Sequence, residues 1–288
     1  MRDDRRRSAF VLRLGRALTE RIMDKEDFKK IIKNVEYFLL DMDGTVYVGD
    51  RLIGEMSATL DRLRAVGKKL IYLTNNSSKS RARYIEKLKK TGLFRDGDDV
   101  YTSGMATAEY LKEFYGGASV YLLGTNALKA EFAESGINLT DETADVSVLA
   151  YDTELEYGKL CRFTYNVTKG SKYIATHPDV NCPAPDVFLP DAGAIMALVE
   201  RSTGKTPDIV VGKPFPTMGE NLKRKFACGG NRFIMVGDRL HTDIKFGNNC
   251  GFHTLFVLSG EGTRSDLARF DAVPSFTLDS LNDIIEYI

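Results

Sequence analysis

The sequence predicts an α/β fold, in which helices cover both faces of a parallel sheet and a smaller α/β domain is inserted into this core. Three observations support the prediction. Short apolar runs alternate with amphipathic stretches from Glu36 onward, and four of these runs end in polar residues. The stretch from Asn76 to Lys213, between the second and third polar ends, is far longer than one crossover helix.

The apolar runs predict the strands, and the amphipathic stretches between them predict helices. The runs span residues 37–42, 69–75, 119–124, 146–152, 172–177, 208–212, 233–238 and 254–260. Clear helical stretches follow two of the polar strand ends, at residues 57–67 and 80–92. Alternation of this kind favours βαβ units and therefore parallel pairing.

Composition predicts a soluble globular protein and excludes several classes of function. The chain has 288 residues, 43% of them hydrophobic and 28% charged, which fits one large or two modest domains. Forty basic and forty acidic residues cancel, so no overall field favours nucleic acid or an anionic membrane. No apolar run approaches the roughly 18 residues that span a bilayer.

The cysteines and histidines argue against a zinc site. Four cysteines are scattered along the chain without a Cys-x-x-Cys pair, and there are only three histidines. Free thiols in a reducing cytoplasm are the simplest interpretation, so we expect a cytoplasmic protein.

These patterns divide the chain into an N-terminal extension (1–22), a core domain (23–117 and 207–288) and a cap domain (118–206). The extension is rich in arginine and has apolar residues at helical spacing. It is either a basic surface helix that touches a membrane or partner, or a poorly ordered segment ahead of an internal start at Met23. We favour the second interpretation because chain termini are often disordered.

The polar strand ends are the main functional signal. Asp41 and Asp43 follow the first run, and the other three ends are Thr74-Asn75-Asn76, Gly212-Lys213-Pro214 and Gly237-Asp238. Taken alone, the first acidic pair could be a solvated strand end. In an open parallel sheet, however, ligands bind beyond the carboxyl ends of the strands, so four such ends together predict one site.

The residue types at these ends suit phosphate chemistry with Mg²⁺. Asp41, Asp238 and a backbone carbonyl near Asp43 offer the hard oxygen ligands that Mg²⁺ prefers, and Asp243 could orient a water bound to the metal. Thr74, Asn75 and Lys213 can bind phosphate oxygens. One carboxylate can then attack phosphorus, while Asp43 is the natural candidate to move protons.

In order, these four motifs resemble those of the haloacid dehalogenase superfamily, over residues 36 to 288. The segments TNNSS, TSGMATAEYL, ATHPD, LPDAGAIM and VGKP resemble its NagD-like, p-nitrophenylphosphatase branch more narrowly. The resemblance implies a Rossmann-like core, a type-two cap and Mg²⁺-dependent phosphatase activity. It also implies that Asp41 is the nucleophile and Asp43 the general acid/base, that Asp41, Asp238 and the Asp43 carbonyl hold Mg²⁺, and that Thr74, Asn75 and Lys213 hold phosphate.

The second aspartate of the first motif narrows the chemistry. The ATPase branch of the superfamily has threonine at this position, and the true dehalogenases also lack the aspartate. Its presence here, as Asp43, favours hydrolysis of phosphate esters.

Substrate choice is expected in the cap domain, because the core contacts mainly phosphate. His177, Asp179 and Asn181 lie in the segment that resembles the family's cap loop, and with Asp191 they could meet the leaving group. The alternative for each residue is that it only shapes the loop. Asp191 in particular could be the residue that begins the following helix.

We therefore predict an aspartyl-phosphate phosphatase that acts on small-molecule phosphate monoesters, without nucleic acid or membrane partners. Two alternatives remain: a phosphotransferase or mutase with the same intermediate, and a phospho-acceptor signalling module. The length of the inserted domain argues against the signalling module. A homodimer through the cap remains open, as does the physiological substrate.

Overall fold

The computed structural model of this chain describes residues 24–183 and 187–288. The predicted N-terminal extension lies outside these residues. The described residues separate into two compact units, one built from the chain up to Ile71 together with Cys228–Ile288, and the other from Tyr72–Ala227. The predicted domain boundaries at 117–118 and 206–207 stay a prediction.

Strands and helices alternate along the chain. In order they are α1 (Lys25–Asn34), β1 (Tyr37–Leu40), β2 (Tyr47–Val48), β3 (Arg51–Leu52), α2 (Met56–Ala65), β4 (Lys69–Thr74), α3 (Arg81–Lys90), β5 (Asp99–Thr102), α4 (Ser103–Phe114), β6 (Val120–Leu123), α5 (Asn126–Glu134), β7 (Val146–Leu149), α6 (Tyr157–Thr168), β8 (Lys172–Ala175), β9 (Asn181–Pro183), β10 (Phe188–Pro190), α7 (Ala192–Thr203), β11 (Ile209–Val210), α8 (Thr217–Phe226), β12 (Phe233–Gly237), α9 (Lys245–Cys250), β13 (His253–Val257) and β14 (Phe276–Leu278). Short 3₁₀ helices precede β12, precede β14 and end the chain, and a π-helical turn (Leu240–Ile244) precedes α9.

The first unit contains a parallel sheet in the order β14-β13-β12-β1, with the start of β4 beyond β1. Both β1 and β12 are buried along their whole length. Burial on both faces explains why these strands are continuous apolar runs instead of alternating ones. The antiparallel pair of β2 and β3 follows β1 directly.

The second unit contains its own parallel sheet, in the order β11-β8-β7-β6. Its core is a cluster of buried apolar side chains from the sheet and from α6 and α7, with Phe163 in edge contact with Tyr173 at 5.1 Å between ring centroids. In the same unit, β5 adjoins β4, and β9 pairs with β10 in an antiparallel hairpin.

The predicted fold class is confirmed, and every predicted apolar run contains a strand. The strands that the sequence reasoning missed are β2, β3, β5, β9, β10 and β14, all two to four residues long. Two of them, β9 and β10, each end in a proline, which argues against a strand from sequence. No helix in residues 24–183 or 187–288 is long and apolar enough to cross a bilayer.

We predict that Phe163→Ala destabilises the chain by about 3–5 kcal/mol, because the fully buried ring leaves a cavity in the second unit. Urea denaturation monitored by circular dichroism measures the change. Phe114→Ala is the matched control, because Phe114 is 55% exposed. Equal effects of the two substitutions would contradict the described core.

Candidate active site

Three carboxylates come together in the first unit. Asp41, Asp238 and Asp243 offer ligand oxygens that all lie within 4.8 Å of one another. The strand register explains the first two: β1 and β12 are parallel, Leu40 pairs with Val236, and the Asp41 amide donates to the Val236 carbonyl at 2.9 Å. The two strands therefore end side by side, so Asp41 and Asp238 lie next to each other at the same edge of the sheet.

Asp238 is a deeply buried member of this cluster. Its side chain is 1% exposed, and its Oδ2 accepts a hydrogen bond from the Glu261 amide at 2.8 Å. Its Oδ1 has no hydrogen-bond partner in the described part of the chain. Burial, together with the negative charge of Asp243, raises the pKa of Asp238 to about 6.

This donor set fits a divalent cation. Hard cations such as Mg²⁺ take carboxylate oxygens, and a buried carboxylate oxygen without a hydrogen-bond donor is a position that such an ion would satisfy. A bound cation would also counteract the rise in the Asp238 pKa, since its positive charge favours the ionised carboxylate.

Asp243 reaches the cluster through a π-helical turn, Leu240–Ile244. π-Helical turns are rare in proteins, and those that occur are often at functional sites. The carboxylate accepts a hydrogen bond from the Arg239 amide at 3.2 Å, and the Arg239 guanidinium pairs with Glu261 at 2.6 Å. Burial acts to lower the pKa of Arg239, but the charges of Glu261 and Asp41 outweigh it and raise that pKa, so this side chain stays cationic beside the acids.

Asp43 differs from the buried acids because it is exposed. It follows Asp41 by two positions and forms an isolated bridge with Tyr47, where the chain turns back. Gly44 next to it has φ +82°, and the Gly44 amide donates to the Tyr47 carbonyl at 2.8 Å. The turn therefore separates the environments of the two acids, leaving one within the cluster and one in solvent.

A loop after β13 holds Asp238 and the Gly44 turn together, and the sequence reasoning missed it. The Ser259 hydroxyl donates to the Gly44 carbonyl at 2.7 Å. A Cβ at Gly260 would lie 1.9 Å from Asp238 Oδ2, so only glycine allows this approach. Ser259 and Gly260 are polar or small residues at the carboxyl end of an apolar strand, which is the signal that identified the other four ends.

In the second unit, the Asn75 side chain binds the main chain at Lys213. Its Oδ1 accepts from the Lys213 amide and its Nδ2 donates to the Lys213 carbonyl, both at 2.8 Å. The same Nδ2 donates to the Asp179 carboxylate at 3.1 and 3.2 Å. Lys213 is 2% exposed and Thr74 is 8% exposed. The Thr74 hydroxyl oxygen accepts a hydrogen bond from the Asn76 amide at 3.1 Å.

The residues predicted for the cap loop differ in their burial and in their hydrogen-bond partners. Asp179 is half-buried beside Asn75, and Asn181 is exposed at the start of β9. His177 is fully buried, and its Nε2 lies 2.8 Å from Asp191 Oδ1. Asp191 is buried and caps α7 through the Ala192 amide, as one of the two sequence interpretations expected.

Comparison with known proteins identifies the family to which this sequence is similar. Residues 38–138 match the family model of haloacid dehalogenase-like hydrolases, and residues 210–284 match a second one, HAD-hydrolase-like. The acid sugar phosphatase of Staphylococcus aureus is 35% identical, over 88% of this chain and 98% of the relative.

Solved structures give the same result. The 4-nitrophenylphosphatase of Thermotoga maritima superposes with a TM-score of 0.85 at 40% identity, covering 89% of this chain and 98% of that one. The p-nitrophenyl phosphatase of Archaeoglobus fulgidus has a TM-score of 0.82 at 28% identity, covering 88% and 100%.

The chain therefore belongs to the haloacid dehalogenase-like hydrolases. Within them it is a phosphatase of the NagD-like, p-nitrophenylphosphatase branch, a hydrolase that acts on phosphate monoesters. The resemblance inferred from the four motifs is confirmed.

We predict that Gly260→Ala strongly reduces phosphatase activity, because its methyl group would displace the Asp238 carboxylate. Gly158→Ala is the control, since a Cβ at Gly158 has no atom within 4 Å. Phosphate release and thermal melting, measured on both variants, separate an effect on the site from an effect on folding. A fully active Gly260→Ala variant would contradict the described contact.

We also predict a pH-dependent stability effect from Asp238 in the metal-free chain. A folded pKa raised to about 6 stabilises the folded state at low pH, and this stabilisation is lost as the pH rises through about 6. Asp238→Asn cannot ionise, so it should be more stable than wild type by roughly 2–3 kcal/mol at pH 8 and nearly equal to it at pH 3.5.

Urea denaturation in a chelating buffer at the two pH values measures this difference. Added Mg²⁺ should then stabilise wild type and not Asp238→Asn, because only the wild-type cluster retains its full charge. A variant that is less stable than wild type at both pH values would contradict the environment assigned to Asp238.

Proposed function

We propose that this protein hydrolyses small-molecule phosphate monoesters through an aspartyl-phosphate on Asp41, with Asp43 as general acid/base and Mg²⁺ as the cofactor. The observation that carries the proposal is the acid cluster in the first unit, in which Asp238 is buried and one of its oxygens has no partner among the described residues. A bound cation would offset the charge of such a cluster, and phosphate-ester chemistry uses one.

Asp41, Asp238 and the main-chain carbonyl of Asp43 would hold Mg²⁺, and Asp243 would orient a water bound to it. When bound there, the ion supplies positive charge that offsets the repulsion between the Asp41 carboxylate and the phosphate dianion. The Arg239 guanidinium adds further positive charge near Asp41.

In the first step, a carboxylate oxygen of Asp41 forms a bond to phosphorus and the phosphorus–ester oxygen bond breaks. Asp43 gives its proton to the leaving oxygen. In the second step, Asp43 takes a proton from water, whose oxygen attacks phosphorus and releases inorganic phosphate from Asp41. The exposure of Asp43 supports this assignment, because a group that exchanges protons with substrate and water must be accessible.

Thr74 and Lys213 are proposed to bind the phosphate oxygens, through a hydroxyl and an ammonium group. We propose a structural role for Asn75 in place of direct phosphate binding. Its side-chain amide is already bonded to the Lys213 main chain and to Asp179, so it orders the phosphate-binding segment. Asp179 and Asn181 are proposed to select the leaving group.

Sugar phosphates are the substrate class that we propose to test first, because the Staphylococcus aureus relative carries that activity in its name. The four cysteines present as free thiols in the structure support a reducing compartment, so we propose the cytoplasm. A homodimer remains a prediction.

We predict that Asp41→Asn reduces hydrolysis of p-nitrophenyl phosphate by at least about 10³-fold, because an amide is a poor nucleophile towards phosphorus. Thermal melting shows whether the fold is retained. Chelation of Mg²⁺ should stop wild-type turnover, and added Mg²⁺ should restore it.

Asp61→Asn serves as the matched control, since Asp61 lies at the surface in an ion pair with Arg64. Wild-type rates in Asp41→Asn, or full activity in excess chelator, would refute the proposed mechanism. Product analysis in the presence of added alcohols distinguishes hydrolysis from phosphoryl transfer.

A further inference from the structure

His177 and Asp191 form an enclosed pair in the second unit, and we propose that they are positioning residues for leaving-group selection. They would act through Asp179, which shares the loop after β8 with His177, so this inference rests on the proposed function. His177 is 0% exposed and Asp191 is 4% exposed. Neither side chain is accessible to a leaving group, which argues against the direct contact that the sequence suggested for His177.

The pair ends a chain of buried hydrogen bonds. The Tyr151 amide donates to Ser77 Oγ at 2.9 Å, Ser77 Oγ lies 3.0 Å from Thr176 Oγ1, and Thr176 Oγ1 lies 2.9 Å from His177 Nδ1. His177 Nε2 then lies 2.8 Å from Asp191 Oδ1. The Asp191 carboxylate can only accept, so His177 Nε2 carries the hydrogen of that bond. In the neutral imidazole Nδ1 is then an acceptor, and Thr176 donates to it.

A second buried hydroxyl, that of Ser103, also lies near the His177 imidazole, but it donates its hydrogen bond elsewhere. Ser103 Oγ lies 3.5 Å from His177 Nδ1, which is at the limit of a hydrogen bond. The Ser103 hydroxyl donates to the Asn75 carbonyl instead. Thr176 is therefore the donor to Nδ1, and Ser103 connects the same region to the segment that follows β4.

Asp191 fixes the helix against which the loop packs. It caps α7, and the Gly193 amide in the first turn donates to the Asp179 carbonyl at 2.7 Å. A Cβ at Gly193 would lie 2.4 Å from the Pro178 carbonyl oxygen. Since His177 is bonded to the carboxylate that begins this helix, the loop is held to the helix at both His177 and Asp179.

The position of Asp179 relative to Lys213 depends on this loop. The Asp179 carboxylate accepts from Asn75 Nδ2, and the Asn75 amide spans the main chain of Lys213. Gly212 packs directly on the loop, with the site of its absent Cβ 2.7 Å from His177 Cβ. A shift of the His177 loop would therefore change the distance between Asp179 and the proposed phosphate-binding lysine.

The chemistry of Asp179 determines which substrates should respond. A carboxylate only accepts hydrogen bonds, and it has sites beyond those used by Asn75. Sugar and polyol leaving groups carry hydroxyl donors for it, whereas p-nitrophenol has no donor besides the oxygen that leaves. Disruption of the pair should therefore impair hydroxylated substrates more than p-nitrophenyl phosphate.

The test compares kcat and KM for a hexose 6-phosphate and for p-nitrophenyl phosphate. We expect His177→Ala and Asp191→Ala to lower the ratio of the two kcat/KM values about tenfold, mainly through KM for the hexose phosphate. His177→Gln retains an N–H donor, and Asp191→Asn retains the helix cap and an acceptor. Both conservative variants should recover most of the wild-type ratio.

Tyr173→Phe is the matched control within the same unit. Tyr173 is 1% exposed, and its hydroxyl has no hydrogen-bond partner among the residues described. Removing it perturbs the buried core without breaking a bond, so the substrate ratio should stay at the wild-type value. A ratio lowered equally in Tyr173→Phe would refute a specific role for the pair.

Equal losses on both substrates in the alanine variants, or an unchanged ratio, would overturn this inference while leaving the phosphatase assignment intact. A wild-type chain that releases phosphate from neither ester would instead contradict the proposed function. Imidazole ¹⁵N NMR tests the pair without any turnover, because the chain has only three histidines. We expect the Nε2–H form of His177, and the Nδ1–H form would refute the hydrogen-bond order.

Discussion

The chemistry of this chain depends on one electrostatic constraint: three carboxylates are held close together where two of them are buried. Asp41, Asp238 and Asp243 place ligand oxygens within 4.8 Å of one another. Like charges at that separation repel, and burial removes the water that would screen them. Burial and the charge of Asp243 raise the pKa of Asp238, and its Oδ1 has no hydrogen-bond partner among the described residues. A bound cation would counteract the pKa shift and satisfy the oxygen.

The first unit is built to keep the acids in place despite this repulsion. Parallel pairing of β1 with β12 brings two acids to one edge, and the π-helical turn brings the third. Glycines at 44 and 260 let the main chain approach Asp238 more closely than any side chain would allow. In the second unit, the side-chain amide of Asn75 connects two groups of the proposed substrate site. It is hydrogen-bonded to the main chain of Lys213, the proposed phosphate-binding residue, and to the carboxylate of Asp179.

The sequence predicted what depends on pattern and missed what depends on side-chain packing. Long apolar runs marked the main strands, and polar residues at their ends marked the acids, because buried strands and costly charges leave a clear signal. The burial of His177 left no signal in the sequence. A histidine in a loop rich in polar residues is expected to be exposed, and only its contacts with Thr176 and Asp191 show that it is buried. The Ser259–Gly260 end was visible in sequence, but its contact with Gly44 and Asp238 depends on neighbouring strands.

Chemical trapping of the phosphoryl group tests the proposed role of Asp41. Asp43→Asn, which should slow hydrolysis of the intermediate, is mixed with p-nitrophenyl phosphate and Mg²⁺, quenched in acid and reduced with borohydride, which converts an aspartyl-phosphate to homoserine. Peptide mass spectrometry should then find homoserine at position 41, only when substrate and Mg²⁺ are both present. Release of p-nitrophenol without modification at Asp41, or with modification at another carboxylate, would contradict the account.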